Sequence, residues 1–221
     1  ISGIRAFGIR GCGVSMPFKE ASIALVDELD ASAQAIQSIN TIVNTDGHLK
    51  AYNTDYIAIA QLLRDHQVAK DTTFALRGSG GMAKAVASAL RDGGYHNGVI
   101  VARNEVTGSA LAKNLGYSWQ AELGQQRPQM LINVTPVGMA GGAEADDLAF
   151  AAEAIDQAEI LFDVVAIPVE TPMIIRGREQ GKRVITGLEV IAIQAVEQFA
   201  LYTGVRPTPE QFQAAVAFAR S

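Results

Sequence analysis

A glycine-rich turn stands between an apolar stretch and an amphipathic one near the middle of the chain. Thr72–Arg77 is predicted to form a strand and residues 82–90 a helix, and Gly78, Gly80 and Ala83 at their junction keep the spacing G-x-G-x-x-A. In such a loop the first glycine permits a tight turn, the second lets the backbone approach a pyrophosphate, and the small third residue packs the helix on the strand. We therefore expect a dinucleotide to bind at Gly78, Ser79, Gly80, Gly81 and Met82. The alternative is a glycine-rich turn without a ligand.

Short β-branched stretches alternate with longer amphipathic ones on both sides of this loop, which predicts an α/β fold with a parallel sheet. The further predicted strands are residues 98–103, 130–134, 160–165 and 183–186, and a helix is expected at 106–115. Upstream, a hairpin is predicted to turn at Asp46–Gly47, and Asn53 or Thr54 is expected to cap the helix that follows. The stretch Val190–Tyr202 is predicted to be a helix with apolar residues through most of its circumference, so we expect it to be buried.

Composition excludes several classes of protein. The chain has 221 residues, 48% of them hydrophobic, and a formal net charge of −5. A globular core is therefore expected, whereas a nucleic-acid partner and a membrane span are not. The single cysteine, Cys12, allows no intramolecular disulfide, which favours a cytoplasmic location. The three histidines, His48, His66 and His96, are far apart in sequence, so no metal site is expected.

The residues after the second strand of the dinucleotide unit bear on the choice of cofactor. That strand ends at Ala102–Arg103–Asn104. An acidic residue here would bind the ribose 2′-hydroxyl of NAD, whereas an arginine can pair with the 2′-phosphate of NADP. Arg103 therefore favours NADP, while the neighbouring Glu105 keeps NAD open.

Seven segments carry polar, glycine or proline residues of the kinds used in active sites. They are Gly11–Lys19, Ile39–Thr41, Tyr52–Asp55, Gly78–Met82, Asn133–Met139, Val169–Pro172 and Gly187–Ala195. This series resembles, in order, the motifs of the shikimate dehydrogenase family, and its departures resemble the divergent shikimate dehydrogenase-like branch. The resemblance spans essentially the whole chain. It implies the reduction of a ring ketone by NADPH, in a cleft between two α/β lobes.

The resemblance also implies a division of the chain into domains. A Rossmann-type NADP domain is expected over residues 56–187, and a smaller α/β catalytic domain over residues 1–55 and 188–221. In relatives a strand, a helix and a second strand come before the position of Ile1, so we expect the catalytic domain to be N-terminally incomplete in this sequence. The assembly is expected to be a monomer or a homodimer.

Each site residue takes its expected role from the same resemblance. Lys19 is the expected acid/base and Asp55 its partner, because a carboxylate beside an ammonium stabilises the charged form and fixes its position. Substrate contacts are expected from Ser15, Asn40 and Gln194. Cofactor contacts outside the glycine-rich loop are expected from Arg103, Thr135, Met139 and Gly187, with Met139 beside the nicotinamide ring.

Two departures from the family pattern bear on the substrate. The serine pair that holds the substrate carboxylate in the family would lie before Ile1, and the family's Tyr-Asn-Pro segment reads Ala166–Ile167–Pro168. The expected substrate is shikimate or a close polyhydroxy cyclohexene carboxylate. Two alternatives stay open: an NAD-linked dehydrogenase of quinate or another analogue, and a module that binds such acids without turnover.

Overall fold

The computed structural model describes residues 1–15 and 17–219. The helices are α1 (Ser2–Ala6), α2 (Ala31–Gln34), α3 (Thr54–Asp65), α4 (Gly81–Asp92), α5 (Glu105–Leu115), α6 (Ala152–Gln157), α7 (Pro172–Glu179), α8 (Gly187–Thr203) and α9 (Pro209–Ala219). The strands are β1 (Gly11–Gly13), β2 (Glu28–Leu29), β3 (Thr41–Thr45), β4 (His48–Tyr52), β5 (Phe74–Arg77), β6 (Gly98–Val101), β7 (Ser118–Gln120), β8 (Met130–Asn133), β9 (Ile160–Asp163) and β10 (Arg183–Ile185).

The chain divides into two compact units. The first comprises Ile1–Ala58 and Ile191–Ser221, and the second comprises Ile59–Val190. The chain passes from one unit to the other within α3 and again within α8. The assignment of residues 56–187 to dinucleotide binding, and of the remainder to catalysis, stays a prediction.

The second unit is built on a six-stranded parallel sheet with the strand order β10-β9-β8-β5-β6-β7. All residues of β8 and β9 are buried, as is typical of a parallel sheet covered on both faces. From β5 the chain proceeds outward through β6 and β7, then returns to β8 and proceeds the other way. The reversal between β5 and β8 is a topological switch point, where ligands of open α/β sheets bind at the carboxyl ends of the strands. The predicted α/β fold with a parallel sheet is confirmed.

Polar caps fix where the helices of this unit begin. The Asn104 side chain accepts a hydrogen bond from the Thr107 N–H at 3.1 Å and so starts α5 directly after β6. Thr171 accepts one from the Ile174 N–H at 3.3 Å, with Pro172 at the first position of α7. These caps satisfy N–H groups that have no partner inside the helix.

The first unit contains a mixed four-stranded sheet in the order β1-β3-β4-β2. The predicted hairpin is confirmed: β3 and β4 pair antiparallel around Asp46 and Gly47, whose φ angles are +52° and +90°. The Asn44 side chain accepts the Gly47 N–H at 2.8 Å and closes this turn. β1 joins the far side of β3 antiparallel, and β2 joins β4 parallel.

Helix α8 departs from the expectation that it is buried. Ile191 and Phe199 each leave 48% of their surface exposed, so that expectation is wrong for their side of the helix. The covered side carries Gln198, which donates a hydrogen bond to Thr41, and Tyr202, which lies against Gly11 of β1. Although apolar residues surround most of α8, the small sheet covers only one side of this helix.

In the described part of the chain, no helix combines the length and the apolar character that crossing a membrane requires.

Candidate active site

Lys19 and Asp55 form an ion pair in the first unit. The Lys19 Nζ lies 2.8 Å from the Asp55 Oδ2, although the two residues are 36 positions apart in sequence. Asp55 stands in the first turn of α3, where the helix dipole favours a carboxylate, and it is only 4% exposed. The Lys19 side chain is 28% exposed, so it pairs with the carboxylate and remains partly accessible to solvent. The structure thus brings together the two predicted catalytic residues.

Asn40 lies next to this pair through two backbone connections. The N–H of its neighbour Ile39 donates to the Lys19 carbonyl at 3.0 Å, and the Asn40 Oδ1 accepts the N–H of Thr54 at 2.8 Å, directly before Asp55. The Oδ1 also accepts the hydroxyls of Thr41 and Thr54, at 2.8 and 3.1 Å.

The amide nitrogen of Asn40 is buried and has no hydrogen-bond partner among the described residues. A buried donor without an acceptor costs roughly 1–3 kcal/mol, so this atom is suited to bind an oxygen of a ligand. Because three donors occupy its Oδ1, the orientation of the amide follows from the hydrogen bonds around it.

Gln198 supports Asn40 from α8 and was not identified from the sequence. Its Nε2 donates to the Thr41 hydroxyl at 3.0 Å, and that hydroxyl donates to the Asn40 Oδ1. Thr41 and Thr54 belong to two of the motifs that resemble the family, but their hydrogen bonds to Asn40 become visible only in the tertiary structure. A polar side chain one turn after Gln194, on the same apolar helix, is the signal that could have pointed to Gln198.

The two other predicted substrate residues have a less defined setting. Ser15 is exposed, and its carbonyl accepts the Phe18 N–H at 3.0 Å in the turn that leads to Lys19. Gln194 is half-buried on α8. Their roles in binding a substrate stay predictions.

The glycine-rich loop follows β5 at the switch point and leaves its backbone accessible. Gly78 has φ +128°, and a Cβ there would lie 2.8 Å from the Val134 Cγ2, so glycine is required on both grounds. A Cβ at Gly80 or Gly81 would meet nothing within 4 Å. Gly80 is the N-cap of α4 and supplies no side-chain cap, so the first N–H groups of the helix are available to an anion. These residues therefore fit the pyrophosphate of a dinucleotide.

A cavity of about 300 Å³ opens beside this loop. Of the predicted cofactor residues, its lining includes Gly78, Ser79, Arg103 and Thr135. The Ser79 hydroxyl lies 2.7 Å from the Thr107 hydroxyl on α5, which joins the loop to the segment that follows β6. The Arg103 side chain is 76% exposed, and its nearest charged partner is Glu144, with 3.7 Å between Nη1 and Oε1.

The Asn133–Met139 segment is held by a buried network that the sequence did not reveal. Asn133 accepts the Thr135 N–H and hydroxyl at 3.0 and 2.6 Å, and its Nδ2 donates to the Val137 carbonyl and to Asp163. Asp163, at the end of β9, also accepts the Val165 N–H and the Thr171 hydroxyl. Burial raises the pKa of the Asp163 carboxyl to about 6, although these hydrogen bonds act in the opposite direction.

Met82, Met139 and Gly187 are the three remaining predicted cofactor residues, and none of them lines the cavity. Met139 is 41% exposed beyond the Asn133 network. Gly187 begins α8, where a Cβ would overlap the carbonyl oxygens of Val164 and Val165. The close approach of the backbones is thus a structural reason for glycine at this position. The contacts of all three residues with a cofactor stay predictions.

No group of three or more metal-ligating side chains comes together within residues 1–15 and 17–219. The arrangement offers an ammonium–carboxylate pair beside a free amide donor in one unit, and a dinucleotide loop with an exposed arginine in the other.

Known proteins resemble the chain over nearly its whole length. A family model described as the shikimate dehydrogenase substrate binding domain matches residues 1–42. A shikimate dehydrogenase-like protein from Haemophilus influenzae is 52% identical over 221 residues, which are 100% of this chain and 82% of that protein. A shikimate dehydrogenase (NADP(+)) from Halothermothrix orenii is 34% identical, over 94% of this chain and 76% of that protein.

A solved structure is also similar. It is that of shikimate 5-dehydrogenase from Thermus thermophilus in complex with NADP(H) and shikimate. The TM-score is 0.85 at 29% identity, over 98% of this chain and 81% of that one. The similarity therefore includes the unit with Lys19 and Asp55 as well as the unit with the glycine-rich loop.

Proposed function

The chain belongs to the shikimate dehydrogenase family, and on that premise we propose that it is an NADP-dependent oxidoreductase that interconverts 3-dehydroshikimate and shikimate or a close analogue. The observation that carries this proposal is the Lys19–Asp55 pair at 2.8 Å, beside the unpartnered amide of Asn40. A pure binding protein has no need of a proton-transfer group held in this way.

Lys19 is the proton donor and acceptor of the proposed reaction. When the ring ketone is reduced, the carbon receives a hydride and the Lys19 ammonium gives a proton to the oxygen, so that a hydroxyl forms. In the reverse direction the neutral amine takes the hydroxyl proton as the hydride leaves. The bound dinucleotide supplies or accepts that hydride. Asp55 holds the Lys19 Nζ in place through both directions.

Asn40 orients the ring of the proposed substrate. Its fixed Oδ1 leaves the Nδ2 free to donate to a substrate oxygen without adding a charge. We assign Ser15 and Gln194 to further hydroxyl or carboxylate contacts. The exposure of Ser15 beside the turn to Lys19 supports its part in this assignment.

The dinucleotide is proposed to bind at the switch point of the parallel sheet. Residues Gly78 to Met82 receive the pyrophosphate, and Arg103 pairs with the 2′-phosphate of NADP. Thr135 and Met139 belong to the segment that we assign to the nicotinamide end of the dinucleotide. Gly187 allows the start of α8 to pack closely against the backbone of Val164 and Val165. The open backbone at Gly80 and the exposed Arg103 support this arrangement.

The proposal is tested by following nicotinamide absorbance with shikimate or quinate, each combined with NADP or NAD. We expect the highest kcat/KM for shikimate with NADP. A higher kcat/KM for quinate with NAD would instead support the NAD-linked alternative. If the protein binds shikimate but shows no turnover under any of the four conditions, the non-catalytic alternative would be supported and the proposal contradicted.

A further inference from the structure

The loop between β8 and α6 carries a run of glycine and acidic residues, Gly141–Asp147, that the proposed function does not use. Glu144 is anchored within it, because its carbonyl accepts the N–H of Gly138 at 2.8 Å and that of Asp147 at 3.3 Å. Its carboxylate Oε1 lies 3.7 Å from the Arg103 Nη1.

The strand order shows that this contact crosses the dinucleotide edge of the sheet. Arg103 follows β6 and Glu144 follows β8, and β5 lies between these two strands. The ion pair therefore joins the two sides of the edge at which the loop Gly78–Gly80 receives the dinucleotide. The same cation that is assigned to the 2′-phosphate has a carboxylate of the chain as its partner.

We propose that Glu144 is a specificity-determining residue that competes with the 2′-phosphate for Arg103 and so reduces the preference for NADP over NAD. The inference rests on the dinucleotide site of the proposed function. A phosphate monoester carries about −1.5 to −2 charges at neutral pH, so a carboxylate beside Arg103 opposes it. NAD carries a neutral hydroxyl at that position, so the charge of Glu144 does not repel it.

Equilibrium binding of two fragments tests the inference without requiring turnover. Adenosine 2′,5′-bisphosphate carries the 2′-phosphate and AMP lacks it, and both are titrated calorimetrically into the full chain. We expect Glu144→Gln to bind the bisphosphate about 3- to 5-fold more tightly than the wild type, the size typical of one exposed ion pair, with AMP binding unchanged. The gain is expected to shrink as salt rises, because both charges are exposed.

Two variants separate this contact from a general effect of charge. Asp146→Asn removes the same charge from the same loop, and the structure pairs Arg103 with Glu144 rather than with Asp146, so this variant is expected to leave bisphosphate binding nearly unchanged. In an Arg103→Ala background, Glu144→Gln is expected to have no effect, since the group competed for is gone.

Equal bisphosphate affinities in the wild type and Glu144→Gln would overturn the inference, as would an equal gain in Asp146→Asn. A Glu144→Gln protein that binds the bisphosphate no better than AMP would overturn it as well, because removal of the competing carboxylate should let Arg103 bind the 2′-phosphate. A protein that shows the expected fragment binding but oxidises neither shikimate nor quinate with either dinucleotide would contradict the proposed function and leave the role of Glu144 supported. In the active enzyme, Glu144→Gln is expected to lower the KM for NADP and to leave that for NAD unchanged.

Discussion

At the scale of single residues, the direction of one hydrogen bond decides how Asn40 is presented. Gln198 donates to the Thr41 hydroxyl, which leaves that hydroxyl free to donate to the Asn40 Oδ1. Asn40 in turn keeps its Nδ2 unpaired among the described residues. Gln198 therefore supports the orientation of the Asn40 amide through Thr41.

Gln198→Glu tests this chain of hydrogen bonds with almost no change in shape. A carboxylate accepts from Thr41, so the hydroxyl turns away from Asn40 and the amide loses one of its supports. One such hydrogen bond contributes about 1 kcal/mol, so we expect the KM for shikimate to rise about 5-fold, with the KM for NADP unchanged. Steady-state kinetics with each substrate varied in turn measure both constants.

The control is Gln61→Glu on α3, which adds the same negative charge. The Gln61 side chain donates a hydrogen bond to Asp65 and makes none to Asn40 or Thr41. It is expected to leave both KM values near those of the wild type. If Gln198→Glu also left the shikimate KM unaltered, the assigned support of Asn40 would be wrong.

At the scale of elements, two glycines at helix starts have different surroundings. Gly80 precedes α4 with φ −84°, and a Cβ there meets no atom within 4 Å. Gly187 begins α8 against the backbone of Val164 and Val165. The first is accessible to a ligand, and the second is required by packing.

The paired variants Gly80→Ala and Gly187→Ala test these two surroundings. We expect Gly80→Ala to keep the thermal unfolding midpoint and to weaken binding of adenosine 2′,5′-bisphosphate, because the methyl group stands where the phosphate must approach. Gly187→Ala is expected to lower the free energy of unfolding by about 1–3 kcal/mol, as overpacking does. Calorimetry and urea unfolding on both proteins provide the measurements, and unaltered fragment binding by Gly80→Ala would count against the pyrophosphate site.

Long, regular elements were predictable from local sequence, and the shortest strand, β2, was not. The hairpin followed from the turn at Asp46–Gly47, and the strand–loop–helix unit at Gly78 followed from glycine spacing with apolar flanks. The strand β2 has only two residues, and its place depends on pairing with β4, where Glu28 and Lys50 form an ion pair at 2.6 Å. No periodicity exists in so short a stretch, so its structure depends on a partner distant in sequence.

Part of the candidate site was likewise predictable from the sequence, and part of it was not. Lys19 and Asp55 were identified through a resemblance of motifs, and the fold brings them to 2.8 Å. Gln198 and Asp163 were missed because a glutamine in an apolar helix and an aspartate ending a strand have no local signal of function. Their importance arises from hydrogen bonds to Thr41 and Asn133, which only the tertiary structure forms.

At the scale of the whole molecule, Asp163 couples stability to pH. Its pKa lies near 6 in the folded protein because burial disfavours the charged form. The unfolded chain releases this proton near pH 4, so between about pH 4 and 6 the folded state binds more protons, and stability falls as pH rises. The effect of one such carboxyl is on the order of 2–3 kcal/mol and is complete above about pH 7.

Asp163→Asn removes this titration and keeps an oxygen that can accept from Asn133 and Val165. We expect the difference in free energy of unfolding, wild type minus variant, to decrease by on the order of 2–3 kcal/mol between about pH 4 and 7. Urea unfolding of both proteins across this range measures it, and other titrating groups cancel in the difference. A difference independent of pH would show that folding does not raise the pKa of Asp163.

The most direct measurement of the central claim is kcat for shikimate oxidation by Lys19→Ala, beside Lys50→Ala as a control. Lys50 pairs with Glu28 in the same unit, so its removal breaks a second ammonium–carboxylate pair. We predict that Lys19→Ala lowers kcat at least ~10²-fold, the scale of general acid–base catalysis, while Lys50→Ala stays within about 2-fold of the wild type. A Lys19→Ala protein that is folded, binds the dinucleotide and retains the wild-type kcat would contradict the proposed role of Lys19.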